Sequence, residues 1–209
     1  MEELKCRTEV ILAVVEKRNT TLYPMTNIEL VYLQFRKILE LIALASLVAN
    51  KTEYAKQRDK FYQDWHAERI LRDIEKVNPD HYPVAGKQVI DPTTGKVIQV
   101  LPVKSGFLTK AEFVELYKAC GSVLHAENPF SPRCNFNAFE TRIPQWLKKI
   151  TTLLNHHQIQ LLDRDKQLWV VMHGKDGRVH GCLFQRMDVQ PVSNCSKLKA
   201  DQATRQTAR

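Results

Sequence analysis

The sequence is poor in the signatures that mark common chemistries. Its seven glycines include no G-x-x-x-x-G-K or G-x-G-x-x-G run, so no phosphate-cradling loop is present. No G-x-S-x-G elbow points to a serine hydrolase, and no H-E-x-x-H to a metalloprotease. The five cysteines (Cys6, Cys120, Cys134, Cys182 and Cys195) are scattered and odd in number, with no C-x-x-C pair and no Cys/His grouping at zinc spacing. That pattern reads as free thiols in a reducing compartment. No metal and no cofactor are expected.

Long apolar runs are also lacking. The longest, Leu41 to Ala49, is nine residues, well short of the roughly 20 that cross a bilayer. The N-terminus is acidic, and no basic stretch followed by an apolar core marks a signal peptide. The expectation is a cytoplasmic protein without membrane partners.

What is present is ordinary globular composition, 44% hydrophobic and 26% charged over 209 residues. The net charge of +8 is unevenly placed: Met1 to His81 carries 13 basic against 13 acidic residues, and Tyr82 to Arg209 carries 18 against 10. A surface for a polyanionic partner therefore belongs to the second part of the chain. Lys148, Lys149, Arg164, Lys166, Lys175, Arg178 and Arg186 fall there beside Trp169 and Phe184. They read either as a nucleic-acid face, with phosphates on the charges and bases on the rings, or as inward aromatics under a solvated charged face.

Helical periodicity dominates the first part. Val10, Ile11, Val14 and Val15 make the stripe of a first helix. Thr26 and Glu29 have capping-box spacing for a second, which is apolar on nearly every side to Ala49 and so central. Within it, Arg36 and Glu40 share a face and can pair. A third helix spans about Asn50 to Asn78, bent near Lys56 to Asp59, with Arg69 and Arg72 beside its apolar stripe; Pro79 and Pro83 end it. The turn residues D-P-T-T-G join two short β-runs into a hairpin at about 86–103. Thr109 and Glu112 form a second capping box for a fourth helix that ends near His125, and Pro144 suits the first turn of a fifth. Three β-like runs follow, with a tight-turn G-K-D-G between the last two.

The fold class is α+β, mostly α: a helical bundle over 1–157 with an inserted hairpin, a small antiparallel sheet over 158–189, and a disordered basic tail over 190–209.

His125 stands where the fourth helix gives way to Glu127, Asn128 and Pro129. A histidine there can cap helical carbonyls, or it can work as a general base or acid near neutral pH. Lys118, seven residues earlier, lies on the same helical face. Such a pair suits phosphodiester cleavage, the imidazole deprotonating an RNA 2′-hydroxyl and the lysine offsetting phosphate charge. Cys120 reads as a small buried hydrophobe or a nucleophile. The adjacent His156 and His157 point to different sides, which suits surface or capping roles better than a metal pair.

The long buried helix with Arg36 and Glu40, the further helices, and a helix ending in Leu124-His125 before an Asn-Pro turn resemble the HEPN superfamily over roughly Thr26 to His157. The segments "FRKILELIALASLVAN", "WHAERILRDIEKVNP" and "CGSVLHAENPF" are also similar to uncharacterised bacterial proteins. Membership would imply an all-helical bundle of bacterial toxin–antitoxin or phage-defence systems, some of them metal-independent ribonucleases. The family's motif is an arginine, four to six residues, then histidine. Here the matching slots hold Lys118, Ala119 and Cys120, so the arginine is missing and Lys118 stands in without its bidentate geometry.

The resemblance implies a protein engaging RNA, a protein partner or a second copy of itself, with His125 and Lys118 as catalytic groups. Arg36, Glu40, Arg69, Arg72, Asn128, Lys148 and Lys149 are the candidate binding residues. The other reading is a noncatalytic interaction or oligomerisation module in which His125 is structural.

Overall fold

A computed structural model of the chain describes residues 1–51, 66–126, 129–130 and 135–187. Among the described residues five helices and five strands follow in the order α1 (Glu2–Val15), α2 (Pro24–Ala49), α3 (Ala67–Val77), β1 (Val84–Ile90), β2 (Val97–Pro102), α4 (Lys110–Leu124), α5 (Phe136–Leu154), β3 (His156–Gln160), β4 (Lys166–Val171) and β5 (His180–Gln185). The class is α+β with helix predominant.

α2 is apolar nearly all round, and it is accordingly packed against α1, α3, α4 and α5. Tyr32, Phe35, Ile38, Leu39, Ile42 and Ala43 along it are fully buried. It starts at Pro24 rather than Thr26. Proline occupies the first turn, where its missing N–H costs nothing, and the Thr26 hydroxyl turns back to the Tyr23 carbonyl instead of capping. The capping box at Thr109 and Glu112 forms as spaced, both reciprocal bonds being present.

α3 starts only at Ala67, because His66 is extended and caps it, its Nδ1 accepting from the Arg69 N–H. The expected bend near Lys56 to Asp59 lies outside the described residues. α5 begins at Phe136, capped by Asn135, so Pro144 sits inside the helix and not in its first turn. Pro144 and Glu140, whose carbonyl loses its usual donor, are both exposed. On an exposed face a carbonyl can be hydrated, which makes the interior proline tolerable.

The strands form one antiparallel sheet in the order β2-β1-β3-β4-β5. The hairpin is therefore not a separate projection beside a C-terminal sheet. β1 pairs with β3, Val84 opposite Gln158 and Ala85 opposite His157, and this joins the hairpin to the later strands. Side chains alternate across the sheet. Ala85, His157, Ile159 and Val170 share the inner face and are buried. Val84, Gln158, Trp169 and Cys182 make a row on the outer face.

Helices and sheet are tied at one buried junction. Asn78, wholly buried at the end of α3, donates its side-chain amide to Asn50 Oδ1 at 2.9 Å and to the Gln160 carbonyl at 2.8 Å. Asn50, at the end of α2, donates in turn to the Ser46 carbonyl at 2.8 Å.

Asn78→Ala leaves two buried acceptors without donors, at about 1–3 kcal/mol each, whereas Thr109→Ala removes an exposed cap worth about 1 kcal/mol. Urea unfolding of the two variants should rank them in that order. A loss for Asn78→Ala no larger than for Thr109→Ala would count against the junction.

Candidate nucleic-acid face and buried histidines

The candidate site residues have different partners in the fold. His125 caps α4 with its backbone N–H bonded to the Gly121 carbonyl, and its own backbone is extended. Its side chain is exposed and has no hydrogen-bond partner among the described residues. Because it has left the helix, the shared face with Lys118 no longer applies. Lys118 is exposed and lies 3.9 Å from the Glu68 carboxylate.

Arg36 and Glu40 pair as spaced, at 3.2 Å. Arg36 also donates to the Tyr117 hydroxyl at 3.3 Å and lies over the Tyr117 ring, 4.9 Å from its centroid. His66 meets the other side of this cluster, edge-on to Tyr117 at 5.3 Å. Tyr117 precedes His125 by eight residues on α4, about 12 Å along the axis. Arg36 is thus committed to fastening α2 to α4, away from the histidine.

Arg69 and Arg72 are exposed, and the carboxylate facing Arg72 is Asp73 at 3.9 Å. Lys148 is exposed on α5. Lys149 pairs with Glu112, and its ammonium lies 5.6 Å from the Trp146 ring centre. Asn128 lies outside the described residues. Cys120 is fully buried, and burial pushes its thiol up to about 12, which makes it a hydrophobe and not a nucleophile.

A different constellation does come together on the outer face of the sheet. Trp169 and Phe184 contact each other with ring centres 4.5 Å apart, tilted by 40°. Neither belongs to the hydrophobic core; Phe184 is 48% exposed and Trp169 half-buried. The alternative of inward aromatics is overturned by the register. Gln167 pairs with Phe184 and Trp169 with Cys182, so both rings fall on the face opposite Val170 and Ile159.

A chain of amides fixes the indole: Trp169 Nε1 donates to Gln167 Oε1 at 3.1 Å, and Gln167 Nε2 to Gln160 Oε1 at 2.9 Å. Gln160 in turn donates to the Lys166 carbonyl at 3.0 Å. Of the cations grouped with these rings in the sequence, Arg164 pairs with Asp80 and Lys166 with Asp163. Arg178 and Arg186 are exposed and meet no carboxylate among the described residues.

The adjacent histidines are buried, so of the surface and capping roles expected only capping is open to them. His157, on the inner face, holds the Leu154 carbonyl at the end of α5 through Nδ1 at 2.9 Å, a capping role. Burial lowers its pKa to about 4. His81 and His156 are lowered by burial as well.

The folded pKa values lie below the unfolded value of about 6.5, so unfolding takes up protons. Stability is full above about pH 6.5 and falls as pH drops toward 4. For His157 the span amounts to roughly 3 kcal/mol. A melting temperature that falls between pH 6.5 and 4.5, less steeply in His157→Gln, is the expected result; a flat profile would contradict it. Iodoacetamide at pH 8 should label the exposed Cys6 and Cys182 in the folded protein and spare Cys120, as peptide mapping will read.

No helix among the described residues is long and apolar enough to cross a membrane. Compared with family models, curated proteins and solved structures, the chain matches none.

Proposed function

We propose that the protein binds single-stranded RNA on the outer face of its sheet, with bases stacked on Trp169 and Phe184 and phosphates met by Arg178, Arg186 and neighbouring cations. The observation that carries this reading is the outward aromatic pair. Two rings in contact, left outside the core on an open sheet face, serve packing poorly and base stacking well.

Three features support it. Tethering the indole through Gln167 holds one ring in place, so little side-chain freedom is lost on binding. Gln158, opposite Trp169 in the outer row, adds an amide that can meet base edges, which unpaired RNA leaves open. The chain's whole net positive charge comes from Tyr82 onward, the part that contains this face.

The activity is binding, not cleavage. An exposed His125 with nothing among the described residues to orient it, and a lysine drawn toward Glu68, lack the fixed geometry that general base catalysis requires.

Anisotropy of a labelled 12-nucleotide RNA tests the reading. Affinity should fall as salt rises, and Phe184→Ala should weaken binding about fivefold to a hundredfold, the range of one lost base stack. His125→Ala should leave both affinity and RNA integrity unchanged. Binding unaltered by Phe184→Ala, or cleavage abolished by His125→Ala, would overturn the assignment.

A further inference from the structure

A cleft of about 790 Å³ opens where α1, the end of α5 and strands β1, β3 and β4 converge. That volume suits a small organic molecule. His156 forms part of its wall and is only 4% exposed, yet neither ring nitrogen has a hydrogen-bond partner among the described residues. Two unpaired nitrogens on one buried ring are costly, since buried polar groups are almost always satisfied.

Packing alone does not call for a histidine here. Its edge-on contact with Trp169, at 5.8 Å between ring centres, could be made by any aromatic ring. Gly86 shows that the imidazole is accommodated specifically, because a Cβ at that position would stand 2.6 Å from Nδ1. The Gly86 backbone is close enough to favour the protonated ring without meeting hydrogen-bond geometry, and burial outweighs it. The ring is therefore neutral near pH 7, with one donor and one acceptor for an incoming group.

The rest of the wall narrows the ligand class. Leu12, Val103 and Val171, each partly exposed, supply apolar surface. Lys5 is held near Glu2 at 3.3 Å, and Glu9 is the acidic residue of the lining. Lys87, exposed at the rim, meets no carboxylate among the described residues.

We propose that this cleft binds a small amphipathic organic anion, with its apolar body against Leu12 and Val171, a polar group on His156 and its acidic group at Lys87. The site is independent of the RNA-binding reading, resting on other residues of the sheet.

The probe is 1-anilinonaphthalene-8-sulfonate, with octanoate as competitor. Fluorescence titration of the folded full chain should show saturable one-to-one binding that octanoate displaces. In protein labelled with ¹⁵N-histidine, the His156 ring signals should shift on saturation. Lys87→Glu, a change at an exposed position, should weaken binding about fivefold, and Thr8→Trp, which fills the cleft, should abolish it. Unsaturable binding, unmoved His156 signals, or wild-type affinity in Lys87→Glu would each overturn the proposal.

Discussion

The Asn78 side-chain amide uses both of its hydrogens to hold separate layers of the molecule together. One goes to Asn50 at the end of the central helix α2, the other to the backbone of β3 at Gln160. Its oxygen accepts from the Asp80 N–H at 3.2 Å, and its backbone carbonyl meets His81 Nδ1 at 2.9 Å. The chain leaving α3 is thereby turned toward β1, and the end of β3 is fixed relative to α2. In a buried setting these bonds cannot be exchanged for water, so the relative position of helices and sheet has little freedom.

What that position determines is which side chains face out. Side-chain direction alternates along a strand, so a slip of one residue would exchange the two faces. With β3 anchored at Gln160, His157 falls against the end of α5 and His156 falls on the opposite side, beside Trp169. The same register sets Phe184 and Trp169 outward and Val170 inward. Two neighbouring histidines thus have unrelated surroundings, one closing a helix and the other walling a cleft.

Much of the helical part was legible because its signals are local. The all-round apolarity of α2, the Thr109 capping box and the G-K-D-G turn each depend on residues a few positions apart, and each reappears as read. Local signals also misled where two competed. Pro24 displaced Thr26 as the start of α2, and Asn135 capped α5 well before Pro144. The aromatic pair and its cations were visible in the sequence, but whether the rings face in or out depends on strand pairing that no local pattern encodes. The cleft was not visible at all. Its wall draws on Leu4, Gly86, Ile150 and Met172, which are brought together by the whole fold. The His125 and Lys118 pairing rested on helical phase, which stops applying at the residue that ends the helix.

Gly86 and His156 also bear on how this sequence can vary. A side chain at position 86 would collide with the imidazole, while a smaller residue at 156 would leave a void beside Trp169. Neither position can change freely without the other. Among natural variants of this chain the two should therefore be substituted jointly, as a coupled pair far apart in the sequence.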